Sequence, residues 1–93
     1  MDPSLPDVYN NLGDVLREKE QFKEALLYVQ KAIRLKPDLA EAYLNAGLIY
    51  HETGQPDEAV GYYQKALEID SGLGKAHEKI GMILRKRTLR QSN

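Results

Sequence analysis

The chain has 93 residues, no Cys and two His, and its 13 Lys and Arg nearly balance 14 Asp and Glu. A chain of this length folds as one small domain that buries roughly 60–65% of the surface its unfolded state exposes, which excludes a second independent core. The absence of Cys excludes a disulfide scaffold and a thiolate metal site, and no apolar run approaches the ~20 residues a membrane-spanning helix needs. The charge is uneven: residues 1–74 carry 7 basic and 13 acidic side chains, residues 75–93 carry 6 basic and 1 acidic.

Hydrophobic periodicity predicts five helices and no strand. The first, over 6–19, carries Val8, Leu12, Val15 and Leu16 on one stripe and ends before Glu20-Gln21. The second, over 22–35, carries Ala25, Leu26, Val29, Ala32 and Ile33. Lys36-Pro37-Asp38 stops it, because Pro disfavours helical backbone in the residue before it and has no N–H to continue the ladder. The third, over 39–53, carries Ala42, Ala46, Ile49 and Tyr50. It ends at Gly54-Gln55-Pro56, where Gly accepts the left-handed backbone of a helix C-terminus and Pro opens the next helix. The fourth, over 56–69, carries Ala59, Tyr63, Ala66 and Leu67 and ends at Asp70-Ser71-Gly72. The fifth, over 73–89, carries Ile80, Met82, Ile83, Leu84 and Leu89, an apolar set wider than one buried stripe needs.

These helices repeat. Laying residues 6–39 over 40–73 gives twelve identities in thirty-four columns, among them Tyr9/Tyr43, Asn11/Asn45, Gly13/Gly47, Ala25/Ala59, Tyr28/Tyr62 and Ala32/Ala66, where composition alone gives about two or three. Leu39, Ala42, Gly47 and Ile49 recur once more as Leu73, Ala76, Gly81 and Ile83. Residues 1–5 therefore read as the tail of a preceding unit, 6–39 and 40–73 as two units, and 74–93 as the first helix of a third, acting as a cap on part of a longer array.

Tyr9, Leu12, Gly13, Leu16, Phe22, Ala25, Val29, Ala32 and Pro37, followed by Tyr43, Ala46, Gly47, Tyr50, Gly54, Ala59, Tyr63 and Ala66, make the sequence resemble the tetratricopeptide repeat, whose unit is 34 residues. The resemblance implies an all-α solenoid of antiparallel helix pairs, here a five-helix fragment of a right-handed superhelix. The chain departs from the usual pattern at Glu20, where a turn Gly is common, at Pro56, where an aromatic is common, and at Ser71, where Pro is common.

No catalytic constellation is present. Ser4, Ser71, Ser92, Thr53 and Thr88 have no His at helical or turn spacing, and His51 and His77 lie 26 residues apart without carboxylates placed to complete a metal site. Gly72-Leu73-Gly74-Lys75 lacks the preceding strand and the hydroxyl of a phosphate loop. No enzyme activity, cofactor or metal is expected. Arg85, Lys86, Arg87 and Arg90 are spread around their helix with no interleaved aromatic, so nucleic acid is not an expected partner. Without a leader or membrane segment, a cytoplasmic location is expected.

The resemblance further implies that the first helix of each unit lines a concave groove that binds peptides. Helical spacing then nominates Asn10, Asn11, Asp14 and Arg17 in the first unit, Leu44, Asn45, Leu48 and His51 in the second, and Lys75, Lys79 and Met82 in the third. Leu44, Leu48 and Met82 stand out as apolar residues on a face expected to be wet. Asn11 and Asn45 share a column and resemble the asparagine ladder of glycosyltransferase tetratricopeptide superhelices, with Lys79 on the third rung. Against the carboxylate clamp of chaperone-tail-binding members, Asn45, Lys75 and Lys79 match in type, whereas Asn10 replaces Lys and Asp14 replaces Asn. The expected function is a scaffold that binds an extended or helical peptide, with an acidic segment near Lys75 and Lys79. The alternative is self-association through uncovered terminal helices.

Overall fold

The computed structural model describes residues 5–91. The tail of a preceding unit expected at the start lies outside these residues except for Leu5. Five helices follow in order: α1 (Leu5–Glu18), α2 (Phe22–Leu35), α3 (Ala40–Glu52), α4 (Pro56–Ile69) and α5 (Gly74–Gln91). No strand occurs among the described residues, and every helix end falls within two residues of its predicted position.

The turns inside the two units are closed identically. After α1 the N–H of Gln21 donates to the carbonyl of Leu16 (2.9 Å) and that of Glu20 to Arg17 (2.8 Å); after α3 Gln55 donates to Tyr50 (2.8 Å) and Gly54 to His51 (3.2 Å). This paired arrangement satisfies the last free carbonyls of a helix and needs a left-handed residue just beyond it. Glu20 (φ 62°) and Gly54 (φ 80°) fill that place. Between units the turns at 36–39 and 70–73 are narrower, with Leu39 donating to Lys36 and Leu73 to Asp70.

Small residues let the helices approach. Ala25, Val29 and Ala32 of α2 pack on Ala42, Ala46 and Ile49 of α3 in one buried cluster. Ala59, Tyr63 and Ala66 of α4 pack with Leu44 and Leu48 of α3 and Ala76 and Ile83 of α5 in a second. The helix α3 contributes to both and is buried on nearly all sides, which is why its apolar residues do not confine themselves to one stripe. The principal extents are 54 × 28 × 16 Å. A thickness of 16 Å suits a two-layer stack of helices spaced ~8–10 Å between axes, α1, α3 and α5 in one layer and α2 and α4 in the other.

Candidate functional site

The layer of α1, α3 and α5 carries the residues nominated from the sequence, and the structure sorts them into three groups. The first makes seams between helices. Asn10 is 4% exposed, and its side-chain oxygen accepts a hydrogen bond of 2.8 Å from the amide of Asn45. Arg17 Nη1 donates to Glu52 Oε2 (2.6 Å) and its Nε and Nη2 donate to Asp14 Oδ1 (3.2 and 2.9 Å). Burial works against the charge of Arg17, but hydrogen bonds and attraction to Asp14 and Glu52 outweigh it and hold the guanidinium above its ordinary pKa.

The second group is core. Leu44 (8% exposed) and Leu48 (5%) are buried, against the expectation of apolar residues standing in a wet groove. They face α4 and α5 and are covered by Tyr63, Ala76 and Ile83. Asn11 is exposed, and the side chain that meets Asn45 is Asn10.

The third group surrounds open space. Arg17, Leu48, His51, Glu52, Lys75 and Lys79 line a depression of about 410 Å³ that crosses all three helices. A second, of about 450 Å³, continues from His51 over Ile83, Lys86, Arg87 and Arg90 to Gly54, Pro56 and Asp57. Met82 is half-buried on α5 and lines neither. Arg87 is engaged by Asp57. Lys75, Lys79 and Lys86 have no ion pair among the described residues.

His51 stands where the two depressions meet. Its Nδ1 lies 3.5 Å from the hydroxyl of Tyr63, whose ring is fully buried. Burial depresses the imidazole pKa, and the charges of Lys79 and Lys86 lower it further against the opposing pull of Glu52. Burial also pushes the Tyr63 phenol up to about 12, helped by Glu52 and opposed by Arg17. A neutral imidazole accepting from a neutral phenol is the arrangement both shifts favour.

Tyr63 was not nominated as a site residue. Tyr63 reads in the sequence as pure packing. Glu52 shares its column with Glu18, and helical spacing puts both on the groove face.

Among the described residues no group of three or more His, Asp or Glu is placed to hold a metal, and no helix is long and apolar enough to cross a membrane.

Comparison with known proteins gives the geometry a family. No curated protein matches the chain significantly. Among solved structures, a crystal structure of MamA superimposes with a TM-score of 0.86 at 30% identity over 97% of this chain and 53% of its own. A second MamA structure gives 0.84 at 30% identity over 98% of this chain and 50% of its own. Pseudomonas aeruginosa PilF gives 0.84 at 25% identity over 94% of this chain and 40% of its own. The chain thus spans about half of MamA or less than half of PilF. The family model described as Tetratricopeptide repeat matches residues 10–73, and the chain belongs to the tetratricopeptide repeat family.

Proposed function

We propose that the chain is a non-catalytic interaction module that holds an acidic segment of a protein partner along the α1–α3–α5 face. Family membership supports the general part, since tetratricopeptide repeats serve as protein-interaction scaffolds. In this reading residues 6–39 and 40–73 act as two repeats, with 74–93 the first helix of a third.

One observation carries the acidic preference. At the α1 end of the depression the cation is already engaged, Arg17 by Asp14 and Glu52. At the α5 end Lys75 and Lys79 border the same space without an ion pair among the described residues. Lysine is a mobile point charge, so it suits a flexible acidic segment better than a rigid two-point grip. The small area of such an array sets micromolar affinity as the scale.

The test is fluorescence anisotropy of labelled peptides ending in Asp and Glu clusters, titrated with the 93-residue chain. The parent is expected to bind, more weakly at high salt, and Lys75→Glu/Lys79→Glu to lose about tenfold or more with helicity unchanged. Equal binding by parent and doubly reversed variant would reject the groove assignment. Asn45→Ala is a poor probe of binding here, because Asn45 is the partner of the buried Asn10.

A second reading, self-association, draws on α1. Val8, Leu12 and Val15 are 46%, 42% and 49% exposed, yet their columns one repeat later, Ala42, Ala46 and Ile49, are buried against α2. An apolar stripe in a column that elsewhere receives a neighbouring helix suits the α5 end of another copy, where Leu84 and Leu89 are exposed. Sedimentation velocity over a wide concentration range decides it: a monomer throughout excludes the assembly, and Leu12→Lys is expected to abolish any that forms.

A further inference from the structure

A third depression, of about 330 Å³, opens between α3 and α4 and is lined by Tyr43, Asp57, Glu58, Gly61, Tyr62 and Lys65. Its floor is aromatic. The rings of Tyr43 and Tyr62 lie 6.4 Å apart at 31°, and Tyr62 stacks on Tyr50 at 5.2 Å and 11°. Gly61 keeps it open, with no heavy atom within 4 Å of the place a Cβ would take. Asp57 is engaged by Arg87 and Lys65 by Glu68 at 3.6 Å. Glu58 has no ion pair among the described residues. Burial raises the pKa of the Tyr62 phenol, Tyr50 adds to the rise, and so does the charge of Glu58, which places negative potential at this spot.

The chain contains a second copy of this shelf, beside a depression of about 430 Å³ lined by Glu24, Leu27, Tyr28, Lys31 and Arg34, and there the chain's own ammonium lies over the ring. Thirty-four residues earlier the rings of Tyr9 and Tyr28 lie 6.0 Å apart at 27°, nearly the same geometry. Over Tyr9, 5.0 Å from its centroid, sits the ammonium of Lys31. Lys65 occupies the Lys31 column, but Glu68 now stands where Arg34 stood and pairs with it. The surrounding charge has also inverted. Lys23, Glu24, Lys31 and Arg34 carry a formal +2, whereas Asp57, Glu58, Lys65 and Glu68 carry −2, or −1 once Arg87 on Asp57 is counted. Leu27 is replaced by Gly61. Both copies border open space, but in one the chain's own Lys31 lies over the ring in basic surroundings, whereas in the other the lysine of that column is paired with Glu68 and the surroundings are acidic.

We propose that the Tyr43–Tyr62 depression receives a lysine side chain of a partner protein, its ammonium over the Tyr43 ring beside Glu58 and its alkyl stem along Tyr62 above Gly61. A ring face and a carboxylate both attract the ammonium, and the stem covers the apolar ring edge. Arg17, Lys75 and Lys79 lie outside this depression, so it can act whether or not the groove binds an acidic segment.

The experiment is NMR of the tyrosine ring signals of the whole chain, titrated with Nα-acetyl-lysine methylamide, with its Nε-acetylated neutral analogue, and with n-butylammonium. The lysine amide is expected to move the Tyr43 and Tyr62 signals saturably and those of Tyr9 and Tyr28 much less, since Lys31 already lies over Tyr9 and the charge around that pair is positive. The neutral analogue is expected to move none. Glu58→Gln should weaken binding by about threefold and Lys65→Ala, which removes a competing ammonium, should tighten it by about twofold, opposite changes that a general disturbance of folding would not give. Equal shifts with the neutral analogue, or affinity indifferent to both variants, would overturn the proposal. Tighter binding of n-butylammonium than of the lysine amide would assign the shelf to a free amine and overturn it as well.

Discussion

Two glycines sit where a neighbouring helix leaves no room for a side chain. A Cβ on Gly47 would stand 2.5 Å from the buried Tyr63 ring, and one on Gly13 would stand 2.5 Å from a Val29 methyl and 3.1 Å from the Ala25 carbonyl. Gly81, on the exposed side of α5, would meet nothing within 4 Å. Glycine inside a helix costs about 0.5–1 kcal/mol relative to Ala, so Gly81→Ala is expected to stabilise by that amount in urea unfolding. Gly47→Ala is expected to destabilise by about 1–3 kcal/mol, because the buried ring cannot yield without strain. Glu20 gives the opposite case. Its left-handed backbone (φ 62°) is one a side chain adopts at a cost and glycine adopts freely, so Glu20→Gly should raise stability by about 0.5–1 kcal/mol. The sequence already marks Glu20, Gly13 and Gly47 through their repeat columns. It gives no sign that Gly81, in the same column, differs in kind from Gly47, since the distinction lies in what faces each backbone.

Between elements, contacts across the first seam join residues 35 apart, Asn10 to Asn45 and Arg17 to Glu52, although the repeat is 34. The reason is that α1 and α3 are stacked in the same direction. The side of one helix that faces forward must meet the side of the next that faces back, and these are different columns, as in any head-to-tail interface. Equivalent columns are therefore not neighbours, and Asn45 meets Asn10 instead of Asn11. The same rule places Leu44 and Leu48: they occupy the forward columns of Asn10 and Asp14, and α4 and α5 bury them. The first seam is therefore polar and the second apolar. Asn45→Ala leaves the buried Asn10 oxygen without its donor, a loss of about 1–3 kcal/mol. The double variant Asn10→Ala/Asn45→Ala is expected to cost less than the two single losses together, and a double-mutant cycle of unfolding free energies measures the difference.

At the scale of the whole molecule, both core clusters run through α3, and the charge passes from the engaged Arg17 at one end to Lys75, Lys79 and Lys86 at the other, which have no ion pair among the described residues. The order of helices and their packing columns are legible because a repeated unit shows each constraint twice. The depressions are less so, because they are the spaces left after Leu44 and Leu48 turn inward and Tyr63 comes up beneath His51. His51 couples this face to stability. Its folded pKa lies below the ordinary 6.5, so in that window the unfolded chain binds more protons. The stabilising contribution is complete above 6.5 and is lost as the pH falls through the folded value. Thermal melts between about pH 7.5 and 5.5 are expected to show the parent losing stability on acidification and His51→Gln losing less. The face itself is tested most directly by ¹H–¹⁵N NMR of the chain titrated with an acidic peptide. Shifts are expected on Arg17, Leu48, His51, Glu52, Lys75 and Lys79, the residues that line the depression. Shifts confined to α2 and α4, or none at saturating peptide, would contradict the assignment of this surface as the place where the protein holds its partner.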